Sequence, residues 1–226
     1  MTDLRTEKMI TTYNLKACGD ILMIILAPNA DNQQIKTNGQ VTRIQNTDTN
    51  ETTGFNIAGL GQQLHIGAQN GQIFLNHDQI ELVNQVILGA GFSDTLIATA
   101  SKLVIGRVKS LSQHPDSDHL SVTSTDVGDG KLLQIVSGSP NMQSGIKVVV
   151  AQPGTMMPSG ALIWDGALRG VNSSGMIVSG RELHLIGAPD KPGALVLPEN
   201  FGEIGEPFDF DKAKSLYTDE LVDTAY

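Results

Sequence analysis

The chain has 226 residues, ordinary apolar content, few aromatic residues and a formal net charge of −9. Its length fits one large domain or two small ones, and no apolar run reaches the ~18 residues of a membrane-spanning helix. Because Cys18 is the only cysteine, the chain can form neither an internal disulfide nor a zinc site built on several cysteines. We therefore expect a cytoplasmic protein without a membrane segment.

The first half of the chain has the pattern of a small α+β domain over residues 9–92. The polar residues 1–8 predict a disordered leader. Short apolar runs predict strands at residues 10–13, 21–27, 40–45 and 52–57. Asn76 then predicts a helix N-cap, and it is followed by apolar residues at helical spacing, namely Ile80, Val83 and Ile87. Gly89 and Gly91 predict the end of this helix.

The second half, residues 99–209, has the pattern of a small barrel, and residues 93–101 form the predicted linker. Apolar runs predict strands at residues 103–111, 120–127, 132–136, 147–151, 162–168 and 193–197. Short strands separated by Gly- and Pro-rich turns favour a barrel over a sandwich. Residues 210–226 are acidic and polar, and they predict a loose tail that is helical in part.

The most informative stretch is LRGVNSSGMIVSGREL, residues 168–183. Gly170 and Gly175 predict tight turns around residues 171–174, because glycine tolerates positive φ. The stretch combines hydroxyl groups, guanidinium groups and a thioether, carried by Ser173, Ser174, Arg169, Arg181 and Met176. Hydroxyls and guanidinium groups suit phosphate or ribose, and a thioether can lie against a base, as unpaired RNA requires. The same stretch also fits a glycine-rich hairpin with no ligand.

Two further motifs precede this stretch: HPDSDHL at residues 114–120 and QIVSGSPN at residues 134–141. In their order and spacing, the three motifs resemble the tRNA-binding OB domain of phenylalanyl-tRNA synthetase β chains, methionyl-tRNA synthetase C-termini and free-standing tRNA-binding proteins. The resemblance extends over about residues 102–208. It implies a five-stranded OB-fold barrel that grips tRNA by shape and backbone, with little sequence specificity and without a cofactor.

The first half also carries a resemblance. The segments YN at residues 13–14, GDIL at residues 19–22 and ETTGFNI at residues 51–57 are similar to the N-terminal domain of YtpR-type proteins. Those proteins join such a domain to one OB domain, which implies an α+β protein with an N-terminal α+β domain ahead of the barrel. Free-standing members of the OB family are often dimers, so we expect a homodimer, and we expect the N-terminal domain to offer a surface to a protein partner.

The resemblance assigns RNA contact to Ser173 and Met176, which match the serine and methionine of the family pattern R-G-V-x-S-x-G-M. Arg169 and Arg181 would supply positive charge, and Ser174 a second hydroxyl. Further candidate cations are Lys102, Arg107 and Lys109, followed by Lys131 and Lys147. Each of these five also fits an ordinary solvated surface charge.

Two departures from the family pattern keep a second function open. His119 stands where the family has Lys or Arg, and residues 99–209 carry 8 basic and 11 acidic side chains. A strong non-specific RNA binder would have a positive surface, so any RNA binding is expected to be weak and salt-sensitive. The alternative is a protein-interaction or scaffold module whose OB fold has lost most of its RNA affinity.

Catalytic and metal-binding motifs are missing from the sequence. It contains no G-x-S-x-G elbow, P-loop, G-x-G-x-x-G or H-E-x-x-H pattern, so we expect no enzyme activity. The spacing of His114, Asp116, Asp118 and His119 invites a metal site. However, a proline interrupts the group and no second cluster accompanies it, so we expect no metal there.

Overall fold

A computed structural model describes residues 6–67 and 69–225 of the chain. The chain folds as two compact units, Met1–Ala100 and Ser101–Tyr226, and the division lies within the predicted linker. Of the predicted leader, residues 1–5 lie outside the described residues, and Thr6–Lys8 form one 3-10 turn. No helix among the described residues is long and apolar enough to cross a membrane.

The first unit is a six-stranded antiparallel sheet with one long helix. Its strands are β1 (Ile10–Asn14), β2 (Ile21–Ile25), β3 (Gln33–Asn38), β4 (Val41–Asn46), β5 (Thr52–Ala58) and β6 (Asn70–Ile73). Its helices are α1 (Leu15–Cys18) and α2 (His77–Gly89). The spatial order of the strands is β3-β4-β5-β2-β1-β6. The four predicted strands are present, and the sequence patterns missed the edge strands β3 and β6.

Helix α2 forms as predicted because its start is capped and its apolar residues share one face. The side chain of Asn76 accepts from the N–H of Gln79, and the Gln79 side chain accepts from the N–H of Asn76, which completes a capping box. Ile80, Val83 and Ile87 are buried in the core against the sheet. The core continues past the expected boundary at residue 92, to Leu96.

Leu96 is fixed by a residue of α2. The Asn84 amide donates to the Leu96 carbonyl at 2.9 Å and accepts from its N–H at 2.8 Å. Leu96 retains 2% of its exposed area. The first part of the predicted linker is therefore folded into the first unit.

The second unit is built on a five-stranded antiparallel sheet that curls into a nearly closed barrel. Its strands are β7 (Leu103–Gln113), β8 (Ser121–Asp126), β9 (Leu132–Ser137), β10 (Lys147–Ala151) and β15 (Met176–Ile177), in the order β15-β10-β7-β8-β9. Two hairpins lie between β10 and β15: β11 (Thr155–Met156) with β12 (Leu162–Ile163), and β13 (Asp165–Leu168) with β14 (Val171–Ser174). The fold class is therefore α+β with a small barrel, as predicted.

Two of the predicted barrel strands are wrong in detail. Residues 162–168 do not form one strand, because the chain leaves the first hairpin at Trp164 and enters the second. Residues 193–197 form no strand: Val196 makes one isolated bridge to Val148. Pro192 and Pro198 bracket this segment, and proline has no N–H for a ladder. The fifth strand of the sheet is β15 instead.

The expectation of a loose tail is wrong for the segment that follows residue 209. Asp209 caps the short helix α3 (Phe210–Ala213), accepting from the N–H groups of residues 211 and 212. Ala213 and Leu216 each retain 1% of their exposed area in the barrel core. The Tyr217 ring covers Gly180, where an added Cβ would lie 2.1 Å from its hydroxyl. The prediction from acidic composition missed the apolar residues Ala213, Leu216 and Tyr217, which attach this segment to the barrel.

Candidate nucleic-acid interface

The β13–β14 hairpin reverses at Arg169-Gly170. Both residues have positive φ, 46° and 81°, which is the signature of a two-residue type I′ turn. Leu168 and Val171 form the last cross-strand pair before the turn. The predicted turn therefore lies at residues 169–170, and Val171–Ser174 are a strand. This geometry places the exposed Arg169 at the tip of a hairpin.

The hairpin tip is held by the loop that follows β7. His114 is buried, and its Nδ1 accepts from the Asp116 N–H at 3.0 Å, so its Nε2 carries the proton and donates to the Leu168 carbonyl at 3.0 Å. Arg169 Nη1 donates to the Asp116 carbonyl at 3.2 Å. Both ring nitrogens of His114 are therefore engaged with backbone, which is a structural role.

Ser173 joins β14 to the edge of β9. Its Oγ accepts from the Val136 N–H at 3.0 Å and donates to the Gly175 carbonyl at 3.2 Å. Beside it, Gln134 Nε2 donates to the Asn172 carbonyl at 2.8 Å. We call this contact, made by Gln134, Val136, Asn172 and Ser173, the closing seam. The only proton of the Ser173 hydroxyl is already committed, so a ligand could use this oxygen only as an acceptor.

Beyond the seam, Met176 lines a groove of about 260 Å³. Met176 pairs with Ala151 in the sheet and is half-buried against the barrel core. We name this concavity the Met176 groove, lined chiefly by Ser137, Ser139, Met176, Arg181, Glu182 and Gly193. It therefore combines an apolar thioether, hydroxyls and both signs of charge in one place.

The charged side chains of the groove lie on the turn after β15. Arg181 is 47% exposed and pairs with the exposed Asp190 at 3.1 Å. Exposed ion pairs of this kind contribute little to the stability of the fold, and the guanidinium group has further N–H donors for a ligand. Glu182 Oε2 accepts from the Ser179 N–H at 2.8 Å and from its hydroxyl at 2.7 Å. Since the Glu182 N–H donates back to the Ser179 hydroxyl, the carboxylate is held in place.

A second charged cluster lies elsewhere on the barrel and is structural. Arg107 donates to both oxygens of Glu199, at 3.0 and 2.6 Å, and to the Gly145 carbonyl at 2.7 Å. This fork lowers the pKa of the Glu199 carboxyl. Lys147 retains 4% of its exposed area and donates to the carbonyls of Glu199 and Gly202. The interpretation of Lys147 as a surface charge is therefore wrong.

The structure brings together only part of the predicted site. Ser173 accepts from the N–H of Val136, and Val136 lines one groove with Met176 and Arg181. Arg169 lies at the tip of the hairpin that carries Ser173. Lys102, Arg107 and Lys109 lie on or next to β7, the central strand of the five, whereas Lys131 directly precedes β9 and donates to Gln152 at 3.2 Å. Ser174 is half-buried and pairs with Asp165 across the hairpin.

Several groove residues were not predicted as RNA contacts, among them Ser137, Ser139 and Glu182. Ser137 and Ser139 belong to the QIVSGSPN motif, in which no residue was predicted to contact RNA. The sequence does carry a signal for the local position of Glu182, because the spacing Ser179-x-x-Glu182 is that of a capping box. Its exposure to the groove, however, follows from the path of the chain after β15.

The two histidines of residues 114–119 have separate partners. His114 is engaged as described, whereas His119 pairs with Asp118 at 3.2 Å in an exposed position. Over residues 6–67 and 69–225, no group of three or more His, Cys, Asp and Glu side chains is placed to hold a metal ion.

Comparison with known proteins covers both units. The family described as "Putative tRNA binding domain" matches residues 103–207, and a family described as "Domain of unknown function" matches residues 28–99. The chain is 43% identical over 201 residues to the "Putative tRNA-binding protein YtpR" of Bacillus subtilis, covering 88% of this chain and 98% of that protein.

The second unit is also similar to part of a larger protein. The chain is 50% identical over 99 residues to the phenylalanine–tRNA ligase beta subunit of Nitratidesulfovibrio vulgaris, covering 44% of this chain and 12% of that one. For the same subunit of Neisseria meningitidis the identity is 41% over 129 residues, covering 56% and 16%. The chain thus spans under a fifth of each ligase subunit.

Proposed function

The chain belongs to the YtpR family, and we propose that it is a non-catalytic tRNA-binding protein that holds tRNA at the closing seam of its barrel. The observation that carries this proposal is that Met176 and Arg181 line one groove with Val136, whose N–H donates to Ser173, while Arg169 lies at the tip of the adjoining hairpin. A type I′ hairpin is a stiff support, so Arg169 is presented in a defined place.

The chemistry of the groove suits an unpaired nucleotide. A thioether packs against a flat ring, and a guanidinium group matches the geometry of a phosphate. The hydroxyl and main-chain groups of the seam suit contacts with the shape and the sugar–phosphate backbone of the RNA, and not with its base sequence. Ser173 acts in this proposal mainly by positioning β14, because its proton is already donated to Gly175.

The acidic balance of the chain predicts modest, salt-dependent affinity. The proposal assigns phosphate contacts to Arg169 and Arg181, so about two phosphates would be contacted. For a single strand this corresponds to a slope of roughly −1.4 in log affinity against log salt. We expect affinity to fall by about one order of magnitude between ~50 and ~200 mM salt.

The first test is a titration of the full chain with tRNA, beside duplex DNA, at these two salt concentrations. Met176→Ala and Arg181→Gln should each weaken tRNA binding by about tenfold, since each removes a contact of roughly 1–2 kcal/mol. Lys109→Gln is the matched control: it removes the same charge from the central strand and should leave affinity unchanged.

Two outcomes would count against the seam. Equal losses in Arg181→Gln and Lys109→Gln would indicate a diffuse charge effect. Absence of tRNA binding at the lower salt concentration would overturn the proposal and favour the protein-interaction alternative.

The proposal includes a cytoplasmic location, a homodimer and a protein partner for the first unit. Edge strand β3 supports the last of these, because all six of its residues are exposed and its outer backbone groups can pair with another chain. Sedimentation of the full chain over a range of concentrations tests the homodimer.

A further inference from the structure

The Met176 groove contains a carboxylate that RNA phosphates would avoid. Glu182 lines the groove, and its Oε2 is occupied by the Ser179 N–H and hydroxyl. Its Oε1 makes no hydrogen bond to another residue in the described part of the chain. An ionised carboxylate is a strong acceptor that can take several hydrogen bonds, so Oε1 is available to a donor on a ligand.

The charges in the groove favour different places for the phosphate, the base and the sugar of a nucleotide. Glu182 repels a phosphate, whereas the adjacent Arg181, 47% exposed, attracts one. Met176 offers the apolar surface for a base. The group left for Glu182 is the sugar, whose hydroxyls are neutral donors.

We propose that Glu182 accepts a hydrogen bond from a ribose 2′-hydroxyl of an unpaired nucleotide, so that the Met176 groove selects RNA over DNA. This inference rests on the proposed function. The 2′-hydroxyl is the group that distinguishes the two nucleic acids at a given site. Every ribonucleotide carries it, so an acceptor for it agrees with recognition that is independent of sequence, whereas base amino groups vary with sequence.

The ligand side is tested with the full chain and three forms of one tRNA: unmodified, 2′-deoxy at its unpaired nucleotides, and 2′-deoxy at an equal number of paired nucleotides. A hydrogen bond to a charged acceptor predicts a loss of about tenfold or more for the second form only. A 2′-O-methyl group keeps the oxygen but removes the proton, and should bind like the 2′-deoxy form.

The protein side is tested with Glu182→Gln, which keeps an amide oxygen for Ser179 but replaces the second acceptor with a donor. We expect the variant to bind unmodified tRNA as weakly as the wild-type protein binds the tRNA that is 2′-deoxy at its unpaired nucleotides. The variant should bind this deoxy form no more weakly than it binds unmodified tRNA. Glu206→Gln is the matched control, because Glu206 Oε2 accepts from the Glu203 N–H at 2.9 Å in the same kind of cap outside the groove.

Several results would overturn the inference while leaving tRNA binding intact. One is equal wild-type affinity for the unmodified and unpaired-deoxy forms. Another is an equal loss on both forms in Glu182→Gln, which would mean a structural role for the cap. A third is an affinity for tRNA that falls when bases with amino groups are replaced but not when the 2′-hydroxyl is removed. If unmodified tRNA does not bind at all, the proposed function itself fails.

Discussion

Residues of the same chemical type have different roles in this barrel, and their partners decide which. Arg181 is exposed beside a groove and keeps free donors, whereas Arg107 is committed to both oxygens of Glu199. Lys147 is buried and donates to the carbonyls of Glu199 and Gly202, in the loop that follows Val196. Positive residues therefore cannot be counted as RNA contacts until their partners are known.

The Arg107–Glu199 pair predicts a specific loss of stability in acid. Arg107 lowers the pKa of Glu199 below its ordinary value of 4.5 in the folded protein. A lowered pKa contributes stability that is present above 4.5 and is lost as the pH falls through the folded-state pKa. We expect the stability difference between wild type and Glu199→Gln to be largest near neutral pH and to shrink below 4.5.

Urea unfolding at neutral pH and at about pH 3 would measure this difference. Glu220→Gln is the control, because it removes one exposed carboxylate outside the Arg107–Glu199 pair. A Glu199→Gln effect that is the same at both pH values would show that the ion pair does not stabilise the barrel.

At the scale of elements, the link between β14 and β15 closes the barrel. Gly175 connects them with φ of 112°, and a Cβ there would lie 2.6 Å from the Ala151 carbonyl oxygen. Two causes, a disfavoured backbone conformation and a backbone clash, thus require glycine at this position. The same link sets the positions of Ser173 and Met176, one on each side of it.

Gly175→Ala should therefore destabilise the second unit by about 2 kcal/mol or more and weaken tRNA binding with it. Gly166→Ala is the matched control: Gly166 lies in β13 with no heavy atom within 4 Å of an added Cβ. Urea unfolding and the tRNA titration would be run on both variants. Wild-type stability in Gly175→Ala would contradict the account of barrel closure.

At the scale of the whole molecule, the proposed tRNA site lies entirely within one unit. Residues of Ser101–Tyr226 form the two clusters of buried apolar side chains in the barrel, the closing seam and the Met176 groove. Tyr217 belongs to the same unit, and its ring covers Gly180 beside the turn that carries Arg181 and Glu182. The C-terminal segment thus supports the groove although its sequence is acidic.

A fragment of residues 101–226 should fold alone and bind tRNA within about threefold of the full chain, a difference of less than ~1 kcal/mol. Residues 1–100 alone should not bind. Circular dichroism would establish that both fragments fold, and the titration would compare them. A large loss of affinity in the folded fragment 101–226 would show that the first unit contributes to the RNA surface.

The sequence alone predicted the α+β class and helix α2. These depend on local patterns: apolar periodicity and the capping pair of Asn76 and Gln79. Ordered motifs also identified the stretch that holds the groove, because several residues at fixed spacing are far more specific than one.

Only the tertiary structure decided which of the predicted residues lie together. The hydrogen bond of Ser173 with Val136, the burial of Lys147 and the pairing of Arg107 with Glu199 all depend on contacts between residues far apart in sequence. The exposure of Glu182 in the groove depends on the same contacts. A linear pattern records the residue type and its local spacing, whereas burial and hydrogen-bond partners are set by the way β14 and β15 close onto β9 and β10.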